Sequence, residues 1–379
     1  MKKLFTLFVL MAGCFAFAAC SDDSGNDSIP GTDQPGGNPG DSTLIEEKPE
    51  WINKPGAVSF MAEDEYRLWV YTFNIGDTLT IVDDEGNEWG LISEEKTVKH
   101  SDSDSTYICG FIELNLGSLY DNEKHETTIK GNIKEISVDG YWINGEYRHH
   151  KVSGIDISTC PYLEWFSCPG TNGSSALDKT CLTALIIGKN EALTYLDCRQ
   201  QYLTSLDVSG CPDLETLDCD YNYLTSLDVS ECLNLVELSC DNNRLILLDV
   251  SGCPNLVNLN CYNNFLTELD VTKNVKLAEL NCGNGTHLYN KLTSLDVSQN
   301  TELTTLRVRY NELSSLDLSK NTKLTYVSCE GNNFTDETMN ELYNSLPEVG
   351  FNKYGEPMGE LICNGLGDWS IATEKGWGF

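Results

Sequence analysis

Apolar residues return on a fixed schedule over more than half of this chain. The pattern L-x-x-L-x-C-x-x-N-x-L-T-x-L-D-V-S-x-C/N-x-x repeats every 21 residues, in copies that begin at Leu193, Leu214, Leu235, Leu256 and Leu303. A 26-residue copy begins at Leu277 and carries its extra residues around GNGTHLYNK. Two 30-residue copies begin at Ile133 and Leu163, with the insertions INGEYRHHK and NGSSALDKTC, and a last copy begins at Leu324. One such unit cannot bury its apolar side alone. Stacked units place each Leu on the Leu of the next coil and share one continuous core. The LxxLxC part predicts a short parallel strand. The LDVS part is also extended, which predicts β-like structure on two sides of each coil, and the pattern leaves no helix-length segment.

The motif resembles that of the leucine-rich-repeat family, LxxLxLxxN/CxL. The resemblance covers residues 133–334 and recurs nine times. It implies a mostly β fold, a right-handed parallel β-coil solenoid of about nine coils. Upstream, RLWVYTF, TLTIV, YICGFIELNL and TTIKGNI are short β-branched and aromatic runs separated by polar clusters. They predict a small antiparallel, sandwich-like β domain over 51–130, able to cover the first coil, with repeats over 131–334. Downstream, FTDETMNELYNSLP departs from the period. Thr335 suits an N-cap and Asp336 and Glu337 suit a first turn. Met339, Leu342, Tyr343 and Leu346 share a helical face, and Pro347 stops it. GELICNG then predicts one more strand. Residues 335–379 thus read as a short α/β cap, and this tail resembles the C-terminal cap of bacterial leucine-rich-repeat lipoproteins.

The first twenty residues read as an export signal: Lys2 and Lys3, the apolar run LFTLFVLMAG, then small residues. Ala18-Ala19-Cys20 resembles a bacterial lipobox, although Phe17 departs from its usual Leu; Cys14 competes with a shorter apolar run. The acidic SDD after Cys20 resembles the signal that sends lipoproteins to the outer face of the outer membrane. The expectation is lipidation at Cys20 and an outer-membrane, lipid-anchored chain facing the exterior. Residues 21–50 are rich in Asp, Gly, Ser and Pro and predict a disordered tether. As a whole the chain resembles a bacterial surface-exported leucine-rich-repeat lipoprotein.

Charge narrows the partners. Twenty-five Lys+Arg stand against 58 Asp+Glu, a net charge of -33, which disfavours nucleic acid and any membrane contact beyond the lipid. The cysteines follow the period. Position six holds Cys168, Cys198, Cys219, Cys240, Cys261, Cys282, Cys329 and, in the cap, Cys363, with Val138 and Val308 in two coils. Exchange with Val marks a small buried hydrophobe. Position nineteen holds Cys160, Cys211, Cys232 and Cys253, replaced elsewhere by Asn190, Asn274, Asn300 and Asn321. That exchange marks a buried corner where a side chain meets turn backbone. Stacked side chains point the same way, which disfavours ladder disulfides, and no CxxC-like spacing supports zinc. Cys109 and Cys181 lie off both ladders. Asn222, Asn243, Asn264, Asn311 and Asn332, with Gln201, form a ladder at position nine, expected to bond the backbone of adjacent coils. Asp207, Asp228, Asp249, Asp270, Asp296 and Asp317 stack at position fifteen. Bonding to local turn N–H groups is favoured there over a cation ladder.

Positions three, five, seven, eight and ten project from the main strand face. The binding candidates are Trp165, Tyr195, Arg199, Asp218, Asp220, Tyr221, Tyr262, Arg307, Arg309, Tyr310 and Tyr326, with Asp197, Tyr202, Tyr223, Asp241 and Phe265 beside them. Aromatics with Arg and Asp suit a recognition surface; the plainer reading is that the rings pack over neighbouring coils. No catalytic signature is present. DDEG at Asp83 and SDSDS at Ser101 lack calcium-loop spacing. His149 and His150 point opposite ways in an extended chain. No catalytic residue, metal or cofactor is expected. The functional expectation is an adhesin-like surface module, a monomer binding protein or glycoprotein. A carbohydrate-binding accessory and a structural spacer are the alternatives.

Overall fold

The computed structural model describes residues 152–170 save 159, 182–285 and 290–378, together with the strands between Ala57 and Arg148. Among those strands only Ile136 and Ser137 have described side chains. Cys20, Cys109, Cys181, the His149-His150 pair, DDEG, SDSDS and residues 171–181 lie outside this set. The chain divides into two compact units, of which one is residues 1–52 and 98–107. The fold below belongs to the other.

Eleven parallel strands follow one another in its main, 14-stranded sheet. Nine come from the nine copies: Ile133–Ser137, Trp165–Ser167, Tyr195–Asp197, Thr216–Asp218, Glu237–Ser239, Asn258–Asn260, Glu279–Asn281, Thr305–Arg307 and Tyr326–Ser328. Gly359–Ile362 and Trp377–Gly378 complete it. Register follows the repeat phase: Leu196, Leu217, Leu238, Leu259, Leu280 and Leu306 pair in succession. A one-residue slip would turn every one of these leucines out of the core, so the pattern itself holds the register. The position-four leucines are at most 1 % exposed, and the rows at positions one, eleven and fourteen are buried with them. This is a leucine-rich-repeat solenoid.

At the N-terminal end, two strands of the first coil are paired on both sides. Ile133–Ser137 pairs in parallel with Trp165–Ser167 and antiparallel with Arg67–Thr72. On the other side, Val152–Asp156 pairs in parallel with Ala184–Ile186 and antiparallel with Ala57–Ala62. A paired edge cannot template another chain.

The expectation of strands on two sides of each coil needs correction. Only Val152–Asp156 and Ala184–Ile186 are strands there; the LDVS segments of the later described coils are not. What sets the first of these strands apart is its antiparallel partner, Ala57–Ala62; the end of the segment is bound locally in the first coil too, where Ser158 N–H donates to Asp156 Oδ1 at 2.9 Å. Ser209 N–H donates to Asp207 Oδ1 at 3.0 Å, and the same bond recurs from Ser230, Ser251, Thr272, Ser298 and Ser319 to their own Asp. The Val250 carbonyl accepts from Cys253 N–H and from Asn274 Nδ2. These local bonds hold the Asp228, Asp249, Asp270 and Asp296 carboxyls below their ordinary range, as the local reading of the row expects.

Both polar ladders join coils. Asn243 Oδ1 accepts Leu224 N–H of the preceding coil at 3.0 Å, while Nδ2 donates to the Cys219, Cys240 and Asp241 carbonyls. Asn222, Asn264, Asn311 and Asn332 work alike, and Gln201 does so through Leu182 N–H and the Cys168 carbonyl. At position nineteen, Cys253 Sγ faces the Val229 carbonyl of the preceding coil at 3.4 Å, and Asn274 Nδ2 donates to the equivalent Val250 carbonyl at 2.9 Å. One corner carbonyl therefore takes either a thiol or an amide donor, which explains the exchange.

The structure holds its twelve described cysteines as thiols, all buried except Cys363. Burial pushes the Cys282 thiol up to about 12 and the Cys253 thiol to about 11, so thiolate, the reactive form, is scarce. Native protein should therefore show almost no reactive ladder thiol, and all should react after denaturation without reductant. Loss of most of them to disulfides under those conditions would contradict this structure.

The cap closes the other end. The helix Asp336–Ser345 begins at Thr335, whose hydroxyl accepts Thr338 N–H while Thr338 returns the bond. It buries Met339, Leu342 and Tyr343. Trp377, fully buried, donates its indole N–H to the Pro347 carbonyl at 2.8 Å.

Candidate functional site

Parallel, in-phase strands turn each repeat position into a row along one face. Position three runs Trp165, Tyr195, Thr216, Glu237, Asn258, Glu279, Thr305, Tyr326. Position five runs from Ser167 through Asp197, Asp218, Ser239, Asn260 and Asn281 to Arg307. The binding candidates fall into two groups on these rows and the adjoining turn.

The first group lies at the earlier coils. The Trp165 and Tyr195 rings are stacked, 3.4 Å between centroids and 3° between planes. Arg199 Nη1 donates to Asp218 Oδ2 at 3.1 Å, and its Nη2 lies 3.4 Å from Asp197 Oδ2. Asp220 accepts Ser239 Oγ–H at 2.8 Å and Asp241 N–H at 2.7 Å. Asp241 is only 9 % exposed. Its Oδ2 accepts from Asn242 Nδ2, while its buried Oδ1 has no donor. Burial pushes the Asp218, Asp220 and Asp241 carboxyls up, Asp241 to about 6. The Asp241 and Asp218 charges push Asp220 further, and Arg199 draws Asp218 back. Glu237 is likewise raised by burial, to about 7.

The second group lies at the later coils. The Arg307 guanidinium sits 4.6 Å from the centre of the Tyr326 ring. Arg309 reaches across a whole coil: its guanidinium is 5.4 Å from the Tyr262 ring centre, and Nη2 donates to Tyr262 Oη at 3.1 Å. Gly283 in the intervening coil makes this reach feasible, because a Cβ there would meet Arg309 Cγ at 3.0 Å. Nη1 of the same Arg lies 3.9 Å from Glu330 Oε1. Beside both groups, Tyr202 and Tyr223 stack at 5.3 Å with Arg244 over the Tyr223 ring at 4.4 Å.

Position eight is left-handed. Gln200, Tyr221, Asn242, Asn263 and Tyr310 have φ between 51° and 59°, and Gly331 has φ 71°. Asn and Gly adopt this region readily; a Tyr there is strained, by about 1–2 kcal/mol. Tyr310 offsets the strain by packing, since a Cβ on Gly331 would lie 2.3 Å from its ring. Tyr310 is thus the plainer case, a ring laid over the next coil. Tyr221 is 44 % exposed and is the more available of the two.

Phase alone made these rows readable, but it gave weight only to aromatic, Arg and Asp residues. It passed over Thr216, Glu237, Asn258 and Asn260, which lie on the same face. The Asn260 amide donates to Ser239 Oγ at 3.2 Å, so these amides extend the acidic network. Among the described residues no His, Cys, Asp and Glu grouping has the convergence to hold a metal ion, and no helix is long and apolar enough to cross a membrane.

No protein-family model matches the chain, and no curated protein sequence matches it. Several solved structures are similar. The functional domain of InlJ from Listeria monocytogenes, which includes a cysteine ladder, is 26% identical over 59% of this chain and 57% of its own, with a TM-score of 0.33. A leucine-rich-repeat protein of Leptospira interrogans is 21% identical over 50% of this chain and 48% of its own, at 0.42. An internalin of Listeria monocytogenes, InlF, is 18% identical over 59% and 69%, at 0.43. The chain spans about half the length of the first two.

Proposed function

We propose that the strand face docks a protein or glycoprotein partner, and that the chain is a recognition module held at the outer membrane by lipid on Cys20. The observation that carries this is the Arg309–Tyr262 pair. An Arg fixed over a ring by a hydrogen bond that spans the coil between them loses little freedom on binding, and such side chains supply most interface energy. Protein is favoured over sugar because the Trp165–Tyr195 and Tyr202–Tyr223 rings turn faces to one another. A sugar platform needs those faces open. Loss of lipid label in a Cys20→Ala chain checks the anchor.

Arrays of glycans and of extracellular proteins would supply the partner. Replacing Tyr221, Tyr262 and Arg309 together with Ala should then weaken binding at least about tenfold, since one lost anchor commonly costs more than ~1 kcal/mol. The exposed control set Ser226, Asp249 and Glu268, also changed to Ala, should do little. Undiminished binding by the first set, with the fold verified, would move the site away from this face.

A further inference from the structure

The acidic group has an acceptor that no donor serves. Asp220 has one donor on each oxygen, Ser239 Oγ and Asp241 N–H, but Asp241 Oδ1 is buried and unserved. On the same face, two residues before Asp218, the Thr216 hydroxyl is also buried with no hydrogen-bond partner. An unserved buried acceptor is costly, and a proton or a cation between two neighbouring carboxyls relieves their repulsion. One coil earlier the chain shows what such a cation looks like: Arg199 forks between Asp197 and Asp218.

We propose that Asp218, Asp220 and Asp241 form a subsite for one basic side chain of the partner, a Lys ammonium or an Arg guanidinium, which replaces a proton that Asp220 and Asp241 otherwise share. The inference rests on the reading that this face binds protein. The exchange balances simply. The incoming N–H groups form hydrogen bonds to the carboxylates, one proton leaves to water, and no covalent bond other than that O–H changes. Asp218 and Asp220 keep part of their surface open to solvent, so the cation enters from their side. The charged groups that act on the pair are Asp218, beside both carboxyls, and Arg199, which Asp220 feels from the preceding coil. The Cys219 and Cys240 thiols beneath it stay neutral through burial. Acidification protonates the pair and should expel the cation.

The full chain would be titrated calorimetrically with an end-blocked peptide of alternating Lys and Ala, in buffers of differing ionisation heat. The wild type should bind it, release up to about one proton per peptide, and lose at least about tenfold in affinity from about pH 7.5 to about pH 5.5. The double variant Asp220→Asn/Asp241→Asn should bind at least about tenfold more weakly at the higher pH. It should release no proton and vary little with pH. Asp220→Asn alone, nearly isosteric, repeats the test should the double variant fold poorly. Absence of peptide binding by the wild type overturns the proposal. So does equal affinity and equal pH response in wild type and variant, because the peptide then reads only the overall negative charge. Failure here, with the Tyr221, Tyr262 and Arg309 variant still losing its partner, removes the subsite and leaves the face reading standing. The converse result removes the face reading alone.

Discussion

Asn243→Leu should lower the free energy of unfolding by about 3–5 kcal/mol. The side chain is 5 % exposed and makes four backbone hydrogen bonds. The four losses are unequal. The Cys219 carbonyl keeps its bond from Asn222, the Cys240 carbonyl keeps that from Asn264, and the Asp241 carbonyl keeps Tyr221 N–H. Leu224 N–H loses the side-chain acceptor that serves it. One buried orphan donor costs about 1–3 kcal/mol, and each lost bond that is backed up costs about 0.5–1.5 kcal/mol. The added apolar volume returns little in a coil already filled by leucines. Asn333→Leu, one residue past the ladder position and exposed, should change stability by no more than about 0.5 kcal/mol. A denaturant melt in which both variants shift alike would remove the structural role given to position nine.

Leu227→Ala should cost about 2–5 kcal/mol, the range for deleting a buried leucine whose cavity cannot collapse. Leu227 is 7 % exposed and lies among the stacked leucines of adjacent coils. The neighbouring Asp228→Gly should cost less, because Asp228 faces solvent and bonds only Ser230. The reverse order in a melt would mean that the LDVS segment is turned by one residue. In that register the carboxylates would point inward, where burial would raise rather than lower their acidity range.

Much of the fold could be read from spacing because a solenoid repeats one physical solution. Each ladder row is a residue type recurring at a fixed offset, so Leu217 beneath Leu238 follows once the period is known. The Cys-to-Asn exchange was legible for the same reason: both residue types can donate to one corner carbonyl. Where the period breaks, the reading breaks. In the 26-residue coil the ladder amide is Asn290, which serves Leu266 N–H and the Cys261 and Cys282 carbonyls. Asn284, nearer the expected place, instead pins the insertion by bonding Asn290 on both its N–H and its carbonyl. Spacing also could not reveal that the LDVS side is strand only in the first two coils, since the first of them pairs with Ala57–Ala62, a strand outside the repeat. The candidate site was legible as a face but not as chemistry. Position in the repeat tells that Asp220 and Asp241 project together, not that one oxygen between them has no donor.

The position-nine amides also impose an order in time. Leu203 N–H waits for Asn222, Leu224 for Asn243, Leu245 for Asn264, each 19 residues further along the chain. A coil is therefore not closed by its own residues. While the chain emerges from a ribosome or a translocation channel, N-terminus first, each turn stays incomplete until the next has followed it out. Removing a coil from the C-terminal side leaves its predecessor with one leucine N–H that has lost its side-chain acceptor.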